Sequence, residues 1–365
     1  MLTDPFPPVL PDHLAATYGT RVPVEGDVGP LVSLQQEDAR RYSPDVTVRS
    51  GPLASRLVGL RSWSRRQVVV VPLDESGRPG EDESPVAWIC LEDRAAGRTN
   101  VQWVVSADVP DRDALVTALL DWAEDVGGSF ARHRGLEATV LDTGANEADA
   151  DRRRLLEAND YRKVRTWLHM DRPVTAEEAT TTPGPREGVR VRRVHTHSDG
   201  LPVAHDVRTV HRMLEESFAD HWGSYRESFA EFVQRLVEDP SDGAWDHWWV
   251  AEIQQEDATW LPGGGLVAAP MPATASAGEG TYLEYLGVHR SARGRGVAKA
   301  LLNTAIRDAA ERGRVRVGLE VDADSPTGAD GLYESMGWKT TERTETWHAD
   351  AKVHPSWLLE PRDEA

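Results

Sequence analysis

The chain holds a single cysteine in 365 residues, Cys90, so an internal disulfide is excluded. Cys90 lies in the apolar run Val86-Ala87-Trp88-Ile89-Cys90-Leu91, the setting of a buried, inert thiol and not of a nucleophile. No apolar stretch approaches the ~18 residues of a membrane-spanning helix. The residues from Met1 to Pro8 lack both a basic start and a continuous apolar run, so a cytoplasmic, soluble protein is expected. Excess positive charge is also missing. Against 60 acidic side chains stand 41 basic ones, a formal net charge of -19, which disfavours nucleic acid and anionic membranes as partners and is compatible with a cationic substrate. Metal-ligand spacing is absent as well. The 12 histidines are scattered; the densest group, His195, His197, His205 and His211, has neither cysteine partners nor a His-Glu-x-x-His helix, and no metal is expected.

What is present is concentrated between residues 281 and 298. Thr281-Tyr282-Leu283-Glu284-Tyr285-Leu286-Gly287-Val288 reads as a strand, and Val297, Leu301, Leu302, Ala305 and Ile306 mark one face of a helix. Between them lies Arg293-Gly294-Arg295-Gly296-Val297-Ala298. Glycines let successive backbone N–H groups turn toward an anion, and the helix directs its positive dipole end to the same place, so the turn suits a pyrophosphate. A dinucleotide fingerprint would need a third glycine where Lys299 stands. A Walker loop would need four residues between its glycines and a Lys-Ser or Lys-Thr ending, which this chain does not have.

A third pattern is satisfied: Arg, two residues, Gly, one residue, Ala, filled by Arg293, Gly296 and Ala298 after a strand ending in Gly-Val. The segment resembles the acetyl-CoA-binding loop of the GNAT superfamily of acyltransferases. A second signal follows. Val315 to Val321 alternates as a strand, and a short helix containing Ala329, Leu332 and Tyr333 ends at Gly337-Trp338, the order in which that superfamily completes its cofactor site. The resemblance implies that Leu286, Gly287 and Val288 offer main-chain amides to the acyl carbonyl and pantetheine arm, with Gly287 allowing close approach. It implies that the turn from Arg293 to Ala298 grips the pyrophosphate and that Tyr333 protonates the departing thiolate. Ser325 occupies the place where the superfamily commonly has an Asn opening the short helix, and serine can cap it. The arginines Arg293 and Arg295 either pair with phosphate oxygens or face solvent.

Glu284 lies on the strand before the loop, and simple alternation places it on the face of Tyr282, Leu286 and Val288. A carboxylate there, its pKa raised by partial burial, can accept the proton of an attacking amine; the competing reading is a surface glutamate paired with an arginine. Asp220, Trp222 and Asp246 are the expected acceptor-binding residues, with Glu216 a further acid. Thirteen tryptophans stand against five phenylalanines. Trp222, Trp245, Trp248 and Trp249 could enclose a cation or sugar-like ring, or pack the core.

The expected fold class is α/β, with two GNAT-like domains, each a mixed twisted sheet flanked by helices. Residues 1–172 form a degenerate first domain, 173–188 a linker around Pro183-Gly184-Pro185, 189–350 the catalytic domain, and 351–365 a tail. Before the linker, a strand from Thr99 to Val105, a helix from Asp113 to Val126, a strand from Leu136 to Leu141, a helix from Asp151 to Ala158 and a strand from Lys163 to Met170 repeat the order seen after it. In the first half the loop position holds Ala107-Asp108-Val109-Pro110-Asp111-Arg112-Asp113, which has no glycine, lacks one amide and carries three carboxylates; acetyl-CoA binding of the same kind is not expected there. This tandem plan is similar to that of the mycothiol synthases. The resemblance implies an acetyl-CoA-dependent N-acetyltransferase acting on a primary amine of a small molecule, as a monomer or homodimer. Alternatives are a non-catalytic acyl-CoA sensor and a protein N-acetyltransferase.

Overall fold

The computed structural model describes residues 7–43, 46–59, 62, 64–80, 82–94, 97–218, 228–238, 245–274, 276–325 and 328–353. Its contacts divide the chain into two units, 1–166 with 344–365, and 167–343. The chain begins with α1 (Asp12–Ala15), β1 (Tyr18–Arg21), α2 (Val28–Arg40), α3 (Ser50–Leu57), β2 (Arg65–Pro72), β3 (Ala87–Arg94) and β4 (Arg98–Val105). There follow α4 (Arg112–His133), β5 (Ala138–Asn146), α5 (Ala150–Ala158) and β6 (Arg162–Pro173). Then come α6 (Glu178–Thr181), β7 (Val189–Arg193), α7 (Ala204–Phe218), α8 (Phe229–Glu238), β8 (Trp248–Gln254) and β9 (Trp260–Met271). The chain continues with β10 (Gly280–Val288), α9 (Val297–Glu311), β11 (Arg316–Asp322), α10 (Ala329–Ser335) and β12 (Lys339–Lys352).

Both units have one plan. In the first, β1 to β4 pair antiparallel in sequence, β4 pairs parallel with β5, and β5 pairs antiparallel with the part of β12 from Thr344 onward. In the second, β7 to β10 pair antiparallel in sequence, β10 pairs parallel with β11, and β11 pairs antiparallel with the part of β6 from Trp167 onward. The last strand of each sheet is therefore supplied by the other half of the chain. Among the described residues each unit has one parallel pair, which needs a crossover helix, α4 in the first and α9 in the second. The boundary drawn from the sequence at residue 172 falls inside β6. The segment 173–188 carries α6, and it is tied to α9 by Asn303 Nδ2 donating to Pro183 O at 3.1 Å and Arg307 Nη2 donating to Thr182 O at 2.7 Å.

Each sheet is covered on both faces, which is why its central strands read as near-continuous apolar runs. In the first unit Ile89, Leu91 and Val101 meet Leu115, Leu119 and Val126 of α4. Trp88 and Cys90 point the other way, against Leu31 of α2 and Leu53 and Leu57 of α3. Helix α4 lies so close to the sheet that a Cβ on Gly127 would stand 2.7 Å from Leu141 Cδ2 and 2.8 Å from Ala351 Cβ. In the second unit Leu301, Leu302, Ala305 and Ile306 of α9 pack on Leu283, Val317 and Leu319, each buried Leu, Ile or Val side chain contributing about 1.5–3 kcal/mol. On the opposite face Val210 and Leu214 of α7 and Phe232 of α8 cover Trp248, Val250 and Val267. Trp248 and Trp249 are thus core residues, one on each face.

Candidate active site

The connection from β10 to α9 is built around two left-handed glycines. After Val288 the chain makes a short 3-10 turn, Arg290–Ala292, capped by the His289 side chain, with Ala292 buried. Gly294 has φ 76 and Gly296 φ 83, and Gly296 is the N-cap of α9 with no side chain bonded to the helix end. A side chain in that conformation would cost roughly 1–2 kcal/mol. Among the described residues the N–H groups of Gly294, Gly296, Val297 and Ala298 have no acceptor within the chain. Convergent unbonded amides at a positive dipole end are a cradle for an anion. Arg293 is exposed beside it, whereas Arg295 turns to the sheet, its Nη2 donating to Gln254 O at 2.8 Å. Arg186, from the segment before β7, lies against the cradle: its Cδ would be 3.1 Å from a Cβ on Gly296.

The strand leading into this turn parts from its neighbour. β10 and β11 pair only from Gly280 with Arg316 to Leu283 with Leu319. On its other edge β10 stays with β9 to Val288, and His289 N–H donates to Gly263 O at 3.0 Å. Counting back in twos from His289 sends the Gly287 amide to β9 and leaves the Leu286 and Val288 amides facing the side that β11 has vacated. At Gly287 the close approach is that of α7, since a Cβ would stand 3.0 Å from Ser217 Cβ and 3.1 Å from Leu214 Cδ2.

Glu284 occupies a β-bulge. The register with β9 shifts between Leu283 and Tyr285, leaving Glu284 as the extra residue. Simple alternation fails across it: Leu283, Leu286 and Val288 all meet the core under α9, and Glu284 is exposed. The expectation that Glu284 shares the face of Leu286 and Val288 is corrected accordingly. Around it gathers an acidic surface. Burial, with Glu320, Glu284, Tyr285 and Asp171 nearby, pushes the Tyr282 phenol well above its ordinary pKa. Directly opposite Glu320 on β6 stands His169, whose Nε2 lies 2.9 Å from Glu320 Oε2. Burial works against a charged imidazole there, but Glu320, Glu342 and Asp171 prevail and raise the His169 pKa. His169 and Glu320 escaped the sequence reading because β6 and β11 are far apart in the chain; the only available hint was a histidine on an expected strand.

Residues 209–338 match the acetyltransferase (GNAT) family. This segment is a GNAT acetyltransferase domain. A GCN5-related N-acetyltransferase from Sphaerobacter thermophilus shares the fold with a TM-score of 0.68 at 22% identity, over 94% of this chain and 98% of that one. A tandem GNAT protein from the clavulanic acid biosynthesis pathway does so with a TM-score of 0.62 at 14% identity, over 95% and 100%. A glucosamine N-acetyltransferase region in a fungal multi-domain β-N-acetylglucosaminidase gives 0.62 at 15% identity, over 92% of this chain and 38% of that one. No curated protein matches in sequence. The chain therefore has the tandem GNAT fold, and its segment 209–338 matches a family whose general chemistry is acyl transfer from acetyl-CoA.

The remaining expected residues of the GNAT domain are distributed unevenly. Tyr333 on α10 packs against the same core as Leu286 and Val288 and meets Trp338 edge to face, with ring centroids 5.9 Å apart. Burial alone pushes its pKa up to about 12. Ser325 is not the cap of α10. Gly328 holds that place with φ 60, while Ser325 lies in the preceding turn, its N–H donating to Asp322 O at 3.2 Å. Asp246 is drawn to the far end of α9, where Arg312 Nη2 lies 2.8 Å from its Oδ2 and His247 Nδ1 2.7 Å from its Oδ1. That is about 22 Å along a 15-residue helix from the cradle. Despite partial burial, Arg312 and His247 hold the Asp246 pKa below its usual value. Glu216 of α7 pairs with His289, Oε2 to Nε2 at 3.1 Å, beside the cradle. Asp220 and Trp222 lie outside the described residues.

The first unit builds the corresponding helix start differently. Asp111, with φ 49 and ψ 51, caps α4 and accepts from Ala114 N–H at 3.4 Å, and its other oxygen lies 2.9 Å from His13 Nε2. The position that Gly296 leaves open thus carries its own carboxylate. No β-bulge interrupts the register of β3 with β4. No helix among the described residues is long and apolar enough to cross a membrane, and none of the described histidine, cysteine or acidic side chains form a group of three suited to a metal.

Proposed function

We propose that the second unit transfers the acetyl group of acetyl-CoA to the primary amine of a small cationic molecule by direct attack, and that the first unit is a non-catalytic companion. The observation that carries this reading is the open amide cradle from Gly294 to Ala298 at the end of the same strand whose parted edge borders Glu284, Glu320 and Asp171. The N–H groups of Gly294, Gly296, Val297 and Ala298 would hold the pyrophosphate, with Arg293 and Arg186 at its border, and those of Leu286 and Val288 the pantetheine arm. Acetyl-CoA, when bound, supplies the thioester.

The chain's own residues handle charge and protons. The acidic surface orients the cationic acceptor. Glu284, exposed on the bulge, and the His169–Glu320 pair are the groups able to accept a proton from the amine, directly or through water. Tyr333 retains its proton until it is given to the departing sulfur. Self-capping at Asp111 supports the view that the first unit does not hold acetyl-CoA in this manner.

The test is a screen of polyamines, amino sugars, amino acids and basic peptides against acetyl-CoA, following thiol release, with Glu284→Gln and Tyr333→Phe as controls. Turnover of a small amine that both substitutions depress is the expected result. Tight acetyl-CoA binding without thiol release across the panel would leave only a sensor, and turnover confined to peptides would move the substrate class.

A further inference from the structure

Arg186 approaches the start of α9 from outside the segment that matches the family, which begins at residue 209. It lies between α6 and β7, and its main chain is fixed on both sides. Before it, Thr182 O and Pro183 O accept from Arg307 and Asn303 of α9. After it, Val189 N–H donates to Arg186 O at 3.0 Å and Gln254 N–H to Gly188 O at 2.9 Å. This places the side chain at the cap of α9: a Cβ on Gly296 would stand 3.1 Å from Arg186 Cδ and 3.5 Å from its Nε.

Other arginines around this helix are engaged. Arg295 donates to Gln254 O, Arg307 to Thr182 O, and Arg312 pairs with Asp308 and Asp246. The Arg186 side chain is exposed, and among the described residues its guanidinium enters no hydrogen bond or ion pair. Its surroundings do not compensate the charge. The first turn of α9 has no acidic residue and carries Lys299 instead, with Arg293 exposed beside it. Cations therefore gather at the positive end of a helix dipole, where like charge is unfavourable, in a chain with 60 acidic side chains against 41 basic. The corresponding start of α4 has the reverse arrangement, with Asp111 as its cap and Asp113 in its first turn. A bound anion would resolve the conflict at α9.

Taking the cradle as the cofactor's phosphate site, the reading proposed above, we propose that Arg186 is a cofactor ligand contributed from outside the family segment, its guanidinium pairing with the pyrophosphate of coenzyme A. Because its Nε lies 3.5 Å from the Cβ position of the Gly296 cap, the group it meets is the pyrophosphate on the cradle and not the phosphate on the ribose. A planar guanidinium can donate two parallel charge-assisted bonds to phosphate oxygens, which an ammonium does not reproduce.

The experiment measures calorimetric binding of CoA and of dephospho-CoA, which keeps the pyrophosphate and lacks the ribose phosphate, to the full-length protein. Arg186→Gln should weaken both by roughly tenfold, the scale of one hydrogen bond to a charged group, and Arg186→Lys should recover part of the loss. The melting temperature of the free protein should stay at the wild-type value in both variants. Unchanged CoA affinity in Arg186→Gln overturns the inference. So does a loss confined to CoA, which would put the guanidinium on the ribose phosphate, or a loss accompanied by a lower melting temperature, the mark of a structural role. Gly296→Ala is titrated in parallel. If it weakens binding and Arg186→Gln does not, this inference alone fails; if neither does, or if the wild-type protein binds no CoA, the cradle fails with it.

Discussion

His169 Nε2 lies 2.9 Å from Glu320 Oε2, on adjacent strands that come from opposite halves of the chain. The imidazole is raised above its usual pKa of about 6.5. A raised folded-state value means that this pair stabilises the protein fully below the unfolded pKa and loses its contribution as pH rises through the folded one. Thermal unfolding followed across neutral pH should show this decline, and Glu320→Gln should flatten it. If His169 accepts the amine proton, Glu320→Gln should also move the acidic inflection of kcat/KM to lower pH. An unmoved inflection would exclude His169 from that role.

Tyr333→Phe should lower kcat by roughly 100-fold, the usual scale of general acid–base catalysis, with little change in acetyl-CoA affinity. Because the pKa is pushed up to about 12, no alkaline fall in rate attributable to this phenol should appear in an ordinary assay range. Stopped-time thiol release over pH, together with calorimetric binding, checks both points.

At Gly296, substitution by Ala forces a Cβ into φ 83 and to within 3.1 Å of Arg186 Cδ. A loss of about 1–2 kcal/mol in stability is expected, accompanied by weaker acetyl-CoA binding as the cradle distorts. Unchanged affinity in a folded Gly296→Ala protein would place the pyrophosphate elsewhere.

Asp246→Asn should leave the acceptor KM unaltered and cost roughly 1 kcal/mol or less, as for a half-exposed ion pair. The lowered carboxylate pKa has the opposite sign to His169: its contribution is present above the unfolded pKa and disappears as pH falls through the folded value. Acid unfolding of the variant and wild type should therefore converge at low pH.

Gly127→Ala addresses the first unit. With Leu141 and Ala351 both under 3 Å from the added methyl, α4 must move off the sheet, at a cost of about 1–3 kcal/mol in denaturant unfolding.

Local chemistry made much of the protein legible from sequence alone. Periodicity located β4 to β6, α4, α5 and every element from β10 to α10, although α4 runs past its expected end at Val126 to His133 and β5 past Leu141 to Asn146. Gly294 and Gly296 marked the cradle because backbone in the left-handed region selects for glycine. The cores alone gave no comparable warning of three things. The exchange of β6 and β12 depends on pairing between segments distant in the chain. The bulge at Glu284 depends on how β9 meets β10, and one unpaired residue was enough to turn Glu284 away from Leu286 and Val288. Likewise the ion pair of Asp246 with Arg312 depends on the packing of α9, which brings the two together. The sequence by itself determined many of the elements, the glycine-rich turn and the tandem plan, since these rest on residues close in the chain. Only the tertiary structure decided which side chains share the cleft, since that is a matter of strand register and of which distant charges fall within a few ångströms.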